Sequence, residues 1–309
     1  MPKKQMFSIL VIGEILFDIF AEQGYENIGG APFNFAYHIQ NILGNVVFIS
    51  KIGDDALARK ALNFLGESRF PVKYIQTDKK YPTGKVNVTL DKESIPTFDI
   101  VENTAYDYIE YNDQLDKLLN STEIDLVYFG SLAQRNDCTR DTLEKILTKT
   151  RKALTFMDLN LRAPHYNEEI IELSLHASDI LKINEGELEV LSSLYKLTAL
   201  NTEDKIRKIA DNFNISFINL TSGDKGSILY LEDTFHQTKV VPKNIIDTVG
   251  AGDAYASILA LGLLYKWPAG KILEVASEFA LEICQIKGAV PRENDIYLNL
   301  LKKHAFLTS

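Results

Sequence analysis

Short, continuously apolar runs separated by longer segments of helical periodicity recur along most of this chain, and no other feature restricts its fold as strongly. FSILVIG (Phe7–Gly13), DLVYFG (Asp125–Gly130), LTFMDL (Leu154–Leu159), DILKIN (Asp179–Asn184) and SFINLT (Ser216–Thr221) have the length and composition of buried strands. The segments between them look different. DDALARKALNFL, residues 54–65, sets Leu57, Ala61, Phe64 and Leu65 on one face of a helix. Strands that are apolar throughout need cover on both faces, so the pattern predicts an α/β fold with a mostly parallel central sheet layered between helices.

One region departs from that rhythm. GKVNVTL (Gly84–Leu90) alternates Val86, Val88 and Leu90 with Asn87 and Thr89, and TFDIV (Thr97–Val101) keeps the same period of two. Together with the stretch around Phe20–Ile28, these half-exposed strands predict a small sheet projecting from the main body as a lid. The remaining composition excludes more than it selects. A net charge of −9 argues against a protein that binds nucleic-acid backbones. Cys138 and Cys284 are too few for a disulfide framework, and neither they nor the five histidines have metal-site spacing. The apolar run Phe7–Ile12 is too short for a secretion signal, and no run reaches the roughly 18 to 20 apolar residues of a membrane span. The expected setting is cytoplasmic, with no membrane and no nucleic-acid partner.

In open parallel sheets, ligands sit beyond the carboxyl ends of the strands. Here those ends carry Glu14 and Asp18, then Asn160 and Arg162, then Asn184 and Glu187, then Gly223 and Gly226. The richest segment is IIDTVGAGDAYASILALGLLY (Ile245–Tyr265), where three small residues and an acid precede an apolar helix. Gly250, Ala251 and Gly252 can present backbone N–H groups at a helix N-terminus, a site suited to phosphate. Asp253 then stands where a carboxylate would take a proton from an attacking hydroxyl. The residue types alone leave a second reading open, in which the acid serves the helix dipole and the glycines serve packing. A dinucleotide fingerprint is excluded, because Tyr255 occupies the third small position, and no Lys follows the last glycine as a phosphate-binding P-loop requires.

Several separated segments together resemble the ribokinase/pfkB carbohydrate kinase family. DTVGAGDAYAS resembles its DTxGAGD signature, and GGAPFNFAYHIQNILG (Gly29–Gly44) resembles its sugar-binding segment. KIGDD (Lys51–Asp55), FMDLNLR, NEGE, LTSGDKG and KGAVP (Lys287–Pro291) are similar to further family motifs, in family order. The resemblance implies one ribokinase-like domain over residues 1–309, with a β lid from about 19–30 and 82–110. It implies Asp253 as catalytic base in a catalytic turn with Gly250, Ala251 and Gly252, the amides of Ala251 and Gly252 forming the anion hole. Asp18, Gly29, Gly30, Asn34, Asn160 and Arg162 would bind the sugar. Asn184, Glu187, Thr221, Gly223 and Gly226 would bind ATP, with Glu187 holding Mg²⁺ through water. Asp247 and Thr248 match a family loop for K⁺. The stretch after Asp54 departs from the family by placing Ala58 and Arg59 where glycine is usual.

The spacing of Glu14 and Asp18, the GGAP segment and the lid residues are most similar to the fructokinase branch. Fructose is therefore the expected acceptor, with 2-keto-3-deoxygluconate as the alternative because Arg162 offers one cation for its carboxylate. The alternative of a different class is a sugar-binding regulator that kept the fold and lost catalysis, against which stand Asp253 and the intact glycine turn. An exposed lid sheet could pair with a second copy, so a homodimer through the lid is a further expectation.

Overall fold

The computed structural model describes residues 7–90, 96–239 and 245–304. In chain order its strands are β1 (Ile9–Ile12), β2 (Leu16–Phe20), β3 (Tyr25–Gly29), β4 (Val46–Gly53), β5 (Ile75–Asp78), β6 (Gly84–Leu90) and β7 (Pro96–Ile100). They continue with β8 (Leu126–Gly130), β9 (Leu154–Asp158), β10 (Ile180–Asn184), β11 (Phe217–Thr221), β12 (Ser227–Leu231) and β13 (Thr234–Thr238). Among the described residues, nine form a central sheet in the order β13-β12-β11-β10-β9-β8-β1-β4-β5. Every pairing from β11 to β5 is parallel. The β12–β13 hairpin adds an antiparallel edge beyond the five apolar runs read from the sequence.

The strands are buried on both faces because alternate residues feed two separate cores. Ile9, Val11, Tyr128 and Phe156 point to one side, where the helices Ala31–Leu43, Ala56–Glu67, Ala251–Leu264 and Ala269–Ile283 pack. Leu10, Ile12, Val127, Phe129 and Met157 point to the other, against helices that contribute Leu115, Ile146, Ile171, Leu191 and Ile206. The helix Ala251–Leu264 is buried along nearly its whole length, as its uniform apolarity requires.

The second sheet has the order β3-β2-β6-β7, with β2 and β6 parallel and both outer pairs antiparallel. Val86, Val88 and Ile100 are buried beneath it, while Thr89 and Asp99 face outward. Its first strand begins at Leu16, and Ile100 closes it. Residues 105–108 form a single 3₁₀ turn below the sheet rather than part of it, with Tyr106 fully buried beside Gly84. Residues 91–95, within the segment expected in the lid, lie outside the described residues. No helix among the described residues is long and apolar enough to cross a membrane.

Candidate active site

β1 is flanked by β4 on one side and β8 on the other, so successive crossovers leave its end in opposite directions. Such a switch point opens a crevice at the carboxyl ends of the strands. Here a cavity of about 450 Å³ lies between that edge and the small sheet. It brings together Asp18, Gly29, Gly30, Asn34, Asn160, Arg162, Asn184, Glu187, Thr221, Thr248, Gly250, Gly252 and Asp253, which come from distant parts of the chain. A second pocket of about 250 Å³ adjoins it across the start of the helix Ala251–Leu264. This pocket holds Gly223, Gly226 and Ala251, with apolar walls from Tyr255, Ala280, Leu281 and Cys284. Thr221, Thr248 and Gly252 face both spaces. Asp247 faces neither. Its two carboxylate oxygens accept the Val249 and Gly288 amides, each at 3.0 Å, and so tie this loop to the C-terminal segment.

Asp253 occupies the first helical turn, where Asn34 Nδ2 donates to its Oδ2 at 2.7 Å. This bond joins the two signature segments, 219 residues apart. Burial and the nearby Asp158 charge push the Asp253 carboxyl up to about 7, and the Asn34 hydrogen bond only partly offsets them. Near neutrality the group can therefore both accept and release a proton. Gly250 makes the turn possible: its φ is +80°, and a Cβ there would stand 2.5 Å from Ala289. The expected pair of phosphate-facing amides is revised by the geometry. The Ala251 amide donates to Thr248 O at 3.3 Å, whereas the Gly250 and Gly252 amides have no partner among the described residues.

Beneath Asp253 lies a pair that the sequence analysis did not assign. β9 and β10 run in register with Asp158 beside Lys182, and Lys182 Nζ donates to both Asp158 oxygens at 3.0 Å. Tyr128 Oη adds a hydrogen bond to the same carboxylate. Both ions are almost fully buried yet line the cavity, and a Cβ on Gly252 would stand 3.5 Å from Lys182 Nζ. The pair thus sets one charged wall where a phosphoryl group would approach the helix N-terminus. Asn184 and Glu187 form a reciprocal capping box, and Glu187 Oε1 also accepts the Leu161 amide. With both Glu187 oxygens held by amides, the group fits Mg²⁺ held through water better than a directly bound ion.

The opposite end of the cavity is organised around Gly29. A Cβ there would meet Asp18 Oδ2 at 3.8 Å and Asn34 Oδ1 at 4.0 Å, so both oxygens flank the same space. Burial pushes the Asp18 carboxyl up to about 6, against the opposing pull of Arg162. Phe98, half exposed on β7, forms part of the cavity wall rather than packing inward, while Tyr106 is core. Among the described residues lining this cavity the cations are Arg162 and Lys182, and Lys182 is already paired.

Sequence comparison extends this local geometry to the whole chain. The profile of the pfkB family carbohydrate kinases matches residues 8–295. The chain belongs to this family. The carbohydrate kinase is 27% identical to the ATP-dependent 6-phosphofructokinase of Thermoanaerobacterium thermosaccharolyticum, over 94% of this chain and 92% of that protein. It is 24% identical to the fructokinase of Salmonella typhimurium, over 82% of this chain and 84% of that one. A crystal structure of Xylella fastidiosa fructokinase with bound ATP superposes with a TM-score of 0.82, at 17% identity, over 97% of this chain and all of that one. The kinase therefore has the ribokinase-like α/β fold with its accessory small sheet, as the motif order implied.

Proposed function

We propose that this carbohydrate kinase transfers the γ-phosphoryl group of Mg·ATP to a terminal hydroxyl of a neutral sugar, fructose. The observation that carries the reading is the Asn34–Asp253 hydrogen bond, which sets a carboxyl of raised pKa between a hydroxyl-binding wall and a helix N-terminus with free amides. Asp253 takes the proton from the attacking hydroxyl as its oxygen bonds to the γ-phosphorus, and ADP departs. The Gly250 and Gly252 amides and the helix dipole stabilise the charge that develops on the moving group. The apolar pocket beyond Gly223 and Gly226 suits a purine ring. Mg²⁺ would neutralise charge across the phosphates, held through water by Asn184 and Glu187. Asp247 and Thr248 remain candidates for a K⁺ loop, although both Asp247 oxygens already accept amides. Closure of the small sheet would exclude water from the reaction.

The preference for a neutral acceptor follows from charge. Glu14, Asp18 and Asp253 face the sugar end of the cavity, opposed by the single unpaired cation Arg162 among its described lining residues. A phosphorylated acceptor would need a cluster of Lys or Arg. Arg162 supports one second reading, an acceptor with a single carboxylate such as 2-keto-3-deoxygluconate. Replacing Asp18 tests the placement of the sugar. Asp18→Ala is expected to raise the KM for sugar at least tenfold, the worth of a hydrogen bond to a charged group, while changing the KM for ATP less than twofold. Equal changes in both constants would place Asp18 outside the acceptor subsite.

A further inference from the structure

Two side-chain oxygens at the sugar end of the cavity are buried without a hydrogen-bond partner among the described residues, Asn34 Oδ1 and Glu14 Oε2. Asn34 has an evident task through its other amide atom, which holds Asp253. Glu14 has none in the reaction described above. It lies two residues beyond β1, is 3% exposed and lines the cavity. It stands beside the start of the helix Ala31–Leu43, which has no side-chain cap, and its own amide and that of Ala31 pull its carboxyl down against the effect of burial. Gly30 permits the approach: at φ +112° it carries no Cβ, and one there would stand 2.6 Å from the Glu14 carbonyl oxygen.

Glu14 thus lies beside an uncapped helix start, with Oε2 left without a hydrogen-bond partner among the described residues. The charged groups that act on it are Asp253 and Arg162, both of which line the same cavity. Burial pushes its carboxyl up to about 7, so near neutrality a protonated fraction can donate to a hydroxyl as well as accept from one. A buried polar atom left without a partner in a binding cavity is a site of discrimination. The ligand that completes it gains, and an analogue lacking the matching group leaves it stranded.

We propose that Glu14 is a specificity-determining contact of the acceptor, its free oxygen binding one hydroxyl adjacent to the hydroxyl that Asp253 activates. The cavity then selects polyols that carry that neighbouring hydroxyl, and Glu14 acts on recognition rather than on proton transfer. The inference rests on the acceptor occupying the Asp18–Asn34–Asp253 side of the cavity, and not on its being fructose.

The test compares kcat/KM for the best neutral sugar with that for each of its monodeoxy analogues, in the wild type, Glu14→Leu and Glu14→Gln, with melting temperatures measured alongside. The wild type should reject one analogue by at least about 100-fold beyond the others. Glu14→Leu should bring that one ratio to within about threefold of the rest and leave the KM for ATP unchanged. Glu14→Gln, which keeps the shape if the leucine variant fails to fold, should shift the same ratio at least threefold and no other. Parallel losses for every sugar, accompanied by a lower melting temperature, would make Glu14 only a helix cap and overturn the proposal. Absence of sugar-dependent ADP release in the wild type would instead overturn the kinase reading on which it rests.

Discussion

Asp253→Asn is expected to reduce turnover by roughly 10² to 10⁴, the usual contribution of a positioned base, while sugar and ATP still bind. The same substitution should make the protein more stable above neutral pH. In the unfolded chain Asp253 ionises near its ordinary value of 3.8, but in the folded protein only near 7. The ionised native state therefore loses stability as pH rises from about 4 through about 7, by up to about 4 kcal/mol for one such group. Asparagine carries no charge and escapes that loss. Denaturant unfolding at pH 8 should show the variant ahead of the wild type, with the difference disappearing toward pH 4. Near-normal turnover, or a less stable variant at pH 8, would remove Asp253 from the role assigned to it.

Gly252→Val separates a phosphate site from a packing device even more sharply. Gly252 does not have a positive φ, and its missing Cβ would make only an ordinary 3.5 Å contact with Lys182 Nζ. A side chain here therefore leaves the backbone unstrained; the glycine of the turn that needs its positive φ is Gly250. What valine would do is fill the space before the free amides. Turnover should fall at least about 100-fold, comparable to the loss of one oxyanion donor, with melting temperature within a few degrees of wild type. If glycine served packing instead, the variant would melt early and its folded molecules would retain full specific activity.

The parts of this molecule that were legible in the sequence are those whose signal is local. Phe7–Gly13 and Asp179–Asn184 read as buried strands because each is apolar over a whole strand length, and they became β1 and β10. The turn Gly250–Asp253 read as a helix start with a carboxylate, and it is one. Thr234–Thr238 was not picked out, since its residues range from exposed to half-buried and lack an apolar run. Asp158 and Lys182 escaped for a different reason. Asp158 ends β9 and Lys182 sits in the middle of β10, 24 residues apart, and only the register of the two strands makes them a pair. Lys182, an ionisable residue in the middle of a buried strand, was the available signal. Phe98 sits on a strand whose alternation was clear, yet whether it faced core or cavity depended on how the small sheet tilts over the large one.

The proposed reaction passes the γ-phosphoryl group of ATP to a neutral sugar in this cavity. Sugar-dependent ADP release across a panel of fructose, fructose 6-phosphate, 2-keto-3-deoxygluconate and ribose tests it most directly. Fructose should give the highest kcat/KM, with fructose 6-phosphate at least about tenfold lower because its phosphate meets three carboxyls and one unpaired cation. Fructose 6-phosphate as the preferred acceptor would contradict the charge argument. A clear preference for 2-keto-3-deoxygluconate that disappears in Arg162→Ala would replace the neutral acceptor with an acidic one.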